Sequence, residues 1–132
     1  MKVMVSGYFD PLHYGHYLYL KEAAKLGMLY CVVASDKQVE LKKGAVNETE
    51  EERCKMLDLV LTGAKISHII FVNRWDKDKT VREAIKVIRP DIFCRGADKD
   101  EDDFPEKCAC QEVGAEVRYI KTEKILHGSL FV

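Results

Sequence analysis

Apolar residues occur along this chain in two alternating rhythms. Short runs at 2–6, 28–34 and 66–72 read as β-strands. The second, Met28-Leu29-Tyr30-Cys31-Val32-Val33-Ala34, is apolar throughout, as expected of a strand buried on both faces of a parallel sheet. Elsewhere apolar residues recur at helical spacing. Tyr17, Leu20 and Ala24 mark a helix from 14 to about 26, with Gly27 as its C-terminal stop. Asn47, with Glu50 three residues on, caps a second helix whose stripe is Cys54, Leu57, Val60 and Leu61 and which runs to Gly63. Thr80 and Glu83 form a capping box ahead of Val81, Ala84, Ile85 and Ile88, and Pro90 ends that helix. A short fourth strand at 91–94, a last helix at 105–113 closed by Gly114 and a fifth strand at 116–120 complete the series. The polar stretch 36–44 reads as a loop.

Strands separated by helices imply parallel pairing with right-handed crossovers. The expected fold is α/β, a Rossmann-like three-layer sandwich around a five-stranded parallel sheet. In such a sheet the ligand lies beyond the C-terminal strand ends, where the strand order reverses. The first and fourth strands would flank that crevice, and two polar stretches emerge there.

The first stretch is Ser6-Gly7-Tyr8-Phe9-Asp10-Pro11-Leu12-His13-Tyr14-Gly15-His16. A helix N-terminus presents unpaired N–H groups and the positive end of the helix dipole, so an anion settles there readily. Pro11 suits the approach to a helix because it needs no N–H bond. His13 and His16, three apart on a first turn, face the same space. Gly7 and Gly15 carry no side chain, so a phosphate could come close to the main chain at both. Either histidine alone is as easily a packed or surface residue; the pair around Gly15, directly after a strand and turn, is much harder to obtain by chance. A dinucleotide fingerprint is excluded because GxGxxG is absent, and a P-loop because no GxxxxGK[ST] occurs. The second stretch, Arg95-Gly96-Ala97-Asp98-Lys99, offers a carboxylate in a glycine turn for a ribose or a base amine, and a charged surface loop is its plain alternative.

Composition narrows the field. With 132 residues and 47% hydrophobic content, the chain fits one domain over 1–132 whose core needs no disulfide or metal staple. A net charge of -1 gives no general attraction to nucleic acid or membrane, and no apolar run approaches 18 residues. No signal peptide or repeat is visible. The five cysteines, Cys31, Cys54, Cys94, Cys108 and Cys110, are odd in number and several lie in apolar segments, which reads as reduced thiols and a cytoplasmic location. Cys108-Ala109-Cys110 lacks zinc-site spacing, and no resident metal site is expected.

At Gly7 through His16 the chain resembles the GxFDxxHxGH signature of the cytidylyltransferase-like nucleotidyltransferases, which share HxGH with class I aminoacyl-tRNA synthetases. The likeness is strongest to the glycerol-3-phosphate cytidylyltransferase branch and its small adenylyl- and cytidylyltransferase relatives. It implies transfer of CMP from CTP to a small phosphorylated alcohol such as glycerol 3-phosphate, by direct attack on the α-phosphate with release of pyrophosphate. The alternative is the same chemistry on ATP, with a sugar phosphate, pantetheine phosphate or FMN as acceptor. An alternative of another class is a nucleotide-binding or assembly protein that has lost catalysis. The resemblance assigns His13, His16, Lys42 and Arg53 to catalysis, the last through an [EH]-x-R element at Glu51-Glu52-Arg53. It assigns Gly7, Tyr8, Phe9, Asp10 and Gly15 to nucleotide binding, with Gly96, Ala97 and Asp98 matching a G-[DG]-D element except at Ala97. Lys99 stands where the cytidylyltransferases carry a base-packing tryptophan. From the family's C-terminal motif Lys124 and Ser129 remain, and the chain stops at Val132 before a further helix could form, so that helix is expected to be absent or truncated. Mg²⁺ carried by the triphosphate and a homodimer are implied as well.

Overall fold

The computed structural model describes residues 1–97 and 103–122. Asp98, Lys124 and Ser129 lie outside the described residues. In chain order the elements are β1 (Lys2–Gly7), α1 (Tyr14–Ala24), β2 (Met28–Val33), α2 (Asp36–Lys43), α3 (Glu50–Gly63), β3 (His68–Val72), α4 (Arg82–Ile88), β4 (Ile92–Gly96), α5 (Lys107–Val113) and β5 (Glu116–Ile120). All strand pairs are parallel, and the order is β3-β2-β1-β4-β5. The chain builds outward from β1 to β3, then returns to the other side of β1 for β4 and β5. The strand order therefore reverses between β1 and β4, as the sequence led us to expect, and the crevice opens above them.

Alternation along the strands makes the three layers. Val3 and Val5 of β1 point with Leu29, Cys31 and Val33 of β2 to the face covered by Leu20 and Ala23 of α1 and Leu57 and Leu61 of α3. Met4, Val32 and Phe93 point to the opposite face, under Ala84, Ile85 and Ile88 of α4 and Ala109 and Cys110 of α5. Each fully buried aliphatic side chain in these layers is worth roughly 1.5–3 kcal/mol. Four of the described helices, α1, α3, α4 and α5, are thus tied with the strands to two apolar cores, one on each sheet face.

Several local expectations fail for definite reasons. The stretch expected as a loop is α2: Ser35 and Gln38 cap it reciprocally, and Gly44 closes it in the left-handed conformation at φ 83°. Its only buried apolar residue is Val39, so it writes no periodicity into the sequence. Helix α3 is capped by Thr49 with Glu52, not by Asn47 with Glu50, because the Asn47 N–H is taken by the Asp10 carboxylate at 3.0 Å. The Thr80–Glu83 box does not form. Asp76 instead accepts the Glu83 and Ala84 N–H groups at 2.8 and 3.1 Å and starts α4 from outside the helix. Gly27 does not stop α1, which ends at Ala24 with Lys25 in the cap position. It is required where the chain re-enters the sheet, since a Cβ there would lie 2.5 Å from the Met1 carbonyl.

Candidate active site

The strand-to-helix stretch at the β1–β4 reversal folds as a self-packed unit. After β1 the chain turns through Phe9, a non-glycine residue at φ 51°, which drives the Phe9 ring into the core. A Cβ on Gly7 would meet that ring at 2.9 Å, and a Cβ on Gly15 would meet the His13 ring at 3.0 Å. Both glycines therefore make room for aromatic rings of the motif itself.

His13 and His16 are the cap of α1. The His16 N–H donates to His13 Nδ1 at 3.3 Å and the His13 N–H donates to His16 Nδ1 at 3.1 Å, a capping box built from two imidazoles. The rings stack at 3.7 Å between centroids, and the edge of Phe9 braces His16 at 5.1 Å. With Nδ1 accepting, a neutral ring carries its proton on Nε2, which leaves Nε2–H as the donor at this end of α1. Burial, with help from the charges of His13 and Lys43, pushes the His16 imidazolium down to about 4. At pH 7 His16 is consequently a neutral donor.

Asp10 holds the opposite wall. Its buried carboxylate accepts the Asn47 and Glu48 N–H groups at 3.0 and 2.7 Å, and its carbonyl accepts Lys43 Nζ at 2.8 Å. Burial alone would raise its carboxyl, but the two N–H donors and the charges of Lys43 and Arg53 outweigh it and hold the group below its ordinary value. Asp10 is thereby a clamp on the loop before α3. Lys42 and Lys43 end α2, with Lys42 Nζ 6.0 Å from the centre of the Tyr8 ring. The Tyr8 hydroxyl is pushed up by burial and by the Glu106 carboxylate.

Arg53 requires a correction. Its side chain is fully buried, with Nη1 donating to the carbonyls of Tyr8 and Ala34 at 2.8 and 2.7 Å, Nε to that of Glu48 at 3.0 Å, and Nη2 to Asp36 at 2.9 Å. A guanidinium engaged on these carbonyls is out of reach of a substrate phosphate. It ties the ends of β1 and β2 to α2 and α3 and acts by positioning. The sequence assignment names Lys42 and leaves out its neighbour Lys43, whose Nζ donates to the Asp10 carbonyl. The capping of α2 decides between them, because it turns Lys43 toward Asp10. Gly96 ends β4 paired to Ile120, and Ala97 follows it, both half-buried at the other edge of the crevice. All five cysteines are free thiols. Burial pushes Cys31 and Cys94 up to about 12, which makes them inert.

Comparison with known proteins agrees with this arrangement. Residues 4–128 match the Cytidylyltransferase-like family model. The FAD synthase of Aciduliprofundum boonei is 34% identical over 125 residues, covering 94% of this chain and 79% of that protein. The FAD synthase of Picrophilus torridus is 33% identical over the same length, covering 94% and 85%. The bifunctional protein HldE of Campylobacter fetus is 39% identical over 100 residues, of which this chain spans 20% of the relative's length. Among solved structures, a lipopolysaccharide core biosynthesis protein from Thermoplasma volcanium superposes with a TM-score of 0.70 at 27% identity, covering 95% of this chain and 98% of that one. A sheet that reverses between β1 and β4, a histidine-capped helix at the reversal and a family match along nearly the whole length lead to one assignment: the chain belongs to the cytidylyltransferase-like family and is a nucleotidyltransferase.

Proposed function

We propose that the chain transfers AMP from ATP to FMN, giving FAD and pyrophosphate. The observation that carries this reading is the likeness to FAD synthases along 94% of the chain. It supports the ATP-using alternative, and the expectation of CTP and glycerol 3-phosphate gives way to it. A phosphate oxygen of FMN attacks the α-phosphorus of ATP in line. The bond from that phosphorus to the oxygen bridging to the β-phosphate breaks, and the electron pair leaves with pyrophosphate. The attacking phosphomonoester is already largely ionised at pH 7, so no enzyme base is required.

The residues then have to hold and neutralise. Nε2–H of His13 and of His16 donate to phosphate oxygens as charge moves onto the leaving group, and the α1 N-terminus adds its dipole. One such preorganised donor is worth about 3–4 kcal/mol in a transition state, so the pair supplies on the order of 10⁴–10⁶ in rate. Lys43 and Lys42 add positive charge from α2, while Asp10 and Arg53 fix the walls. Among the described residues no three His, Cys, Asp or Glu side chains gather as metal ligands, and both Asp10 oxygens already accept backbone N–H bonds. That donor set fits a Mg²⁺ that arrives with ATP, held by phosphate oxygens and water. When bound, it would neutralise phosphate charge.

The test is to incubate the purified protein with each of the four nucleoside triphosphates in turn, with FMN or with glycerol 3-phosphate, and to separate the products by chromatography. FAD from ATP and FMN is expected, with His16→Ala as the inactive control. CDP-glycerol from CTP, or no nucleotide product at all, overturns the proposal.

A further inference from the structure

Resting on that reading of the acceptor, we infer that the flavin ring of FMN binds in the pocket between α1 and α3 that opens beside His13. The pocket has a volume of about 450 Å³, and Leu12, Tyr14, Tyr17, Met56 and Val60 line it, with His13 at its mouth. This lies in the lower half of the range for small-molecule sites, the size for one planar ring system and too small for a whole dinucleotide.

Its chemistry is selective. Tyr14 and Tyr17 stand one turn apart on α1 with their rings nearly parallel, 23° apart in plane and 5.9 Å between centroids. Tyr14 is 48% and Met56 46% exposed, so this wall is wet in the free protein. A glycerol or sugar phosphate would leave it wet. A flat heteroaromatic ring would bury it, stacking on the tyrosines while the pliant thioether of Met56 closes on the other side. Glu48 is the acid in the lining, and the imide edge of a flavin carries an N–H that a carboxylate can accept. The rim is preformed, because the Glu48 N–H is held by Asp10 at 2.7 Å and its carbonyl by Arg53 at 3.0 Å. From this pocket the ribityl phosphate has only to pass His13 to reach the paired Nε2 donors. The β4 side of the crevice, at Gly96 and Ala97, is left for the nucleotide.

Val60→Trp fills the pocket from α3 and leaves both histidines in the sequence, and Tyr17→Leu removes the stacking face without filling it. Two quantities are read in wild type and both variants. One is FMN binding by quenching of flavin fluorescence in the absence of ATP. The other is KM for FMN and for ATP in FAD synthesis, with melting temperature and sedimentation as controls on folding and association. Wild type should quench flavin. Both variants should raise the FMN dissociation constant and KM by at least about tenfold and leave KM for ATP within about twofold. Wild-type FMN constants in folded Val60→Trp overturn the pocket while leaving the acceptor intact. The pocket is overturned in the same way if the substitution only dissociates a dimer, which would make a second copy its occupant. Flavin binding that Val60→Trp abolishes, without FAD formation in wild type, supports the pocket and sinks the transfer reaction. No flavin binding at millimolar concentration overturns both.

Discussion

Replacing Arg53 by methionine asks whether this buried cation builds the site or touches the substrate. Methionine has nearly the length of arginine and none of its donors, so the carbonyls of Tyr8, Ala34 and Glu48 each lose a partner at once. Asp36 is better placed, since Oδ1 still accepts the Glu50 N–H at 2.7 Å and its side chain is 38% exposed. An orphaned buried group costs about 1–3 kcal/mol, with carbonyls at the low end because each has two lone pairs. Three of them give about 3–4 kcal/mol, a large part of the 5–15 kcal/mol that holds an ordinary domain together. For a chain of this length that corresponds to roughly 10–15 °C in melting temperature.

The assay pairs a circular dichroism melt and a urea titration with steady-state kinetics run well below the variant's midpoint. A positioning role predicts the full stability loss, a partial recovery in Arg53→Lys, and a KM for ATP within about threefold of wild type. The reasoning is refuted if the midpoint moves by less than about 3 °C while kcat/KM falls by about 1,000-fold, since that is the signature of a lost transition-state contact.

His13→Asn separates capping from catalysis: asparagine is among the best N-cap residues, so the melting temperature should stay within about 2 °C, while loss of the Nε2 donor lowers kcat by about 10²–10³, read in the FAD assay. Gly15→Ala places a methyl 3.0 Å from the His13 ring, and even a shift of about 1 Å in that ring should cost on the order of 10²-fold in kcat with the fold intact by circular dichroism. Native His16 gains its proton only near pH 4, whereas the unfolded chain takes one up at its ordinary 6.5. The unfolded state binds more protons between those values, so stability is full above 6.5 and is lost as pH falls toward 4. The urea midpoint should drop from pH 7.5 to 4.5, and the drop should be smaller in His16→Asn; an equal drop in both proteins would remove His16 from the explanation.

The layout of the site was legible because it depends on features that leave a pattern. Apolar runs such as 28–34 mark strands buried on both faces, and five strands joined by helices leave little freedom but a parallel sheet. The placement of Ser6 through His16 at the reversal between β1 and β4 followed from that. What stayed hidden depends on single partners distant in sequence. Helix α2 presents only Val39 to the core, so nothing periodic announces it. Asp76 caps α4 from six residues upstream of its first residue, and no local rule reads a cap at that range. Arg53 carries the same charge whether it meets a phosphate or three carbonyls, and only the convergence of Tyr8, Ala34 and Glu48 around it decides. Histidine is not a common helix cap, and so the His13–His16 pair could be recognised by spacing while its reciprocal bonding could not.

That reciprocal bonding changes what the pair can do. A histidine free to rotate would have to lose rotamer freedom and choose a tautomer each time a phosphate arrived. Here the backbone has fixed both choices in advance, because Nδ1 of each ring is bound to the main chain of the other residue. Gly15 lets the His13 ring lie flat against the helix, Gly7 lets Phe9 in, and Phe9 in turn braces His16. The depressed basicity of His16 has burial as its first cause, with repulsion from His13 and Lys43 added, so the packing that holds the ring in place also favours its neutral form. Donors preset in this way need no reorganisation when charge develops on the leaving pyrophosphate, and in that circumstance a hydrogen bond contributes most to rate.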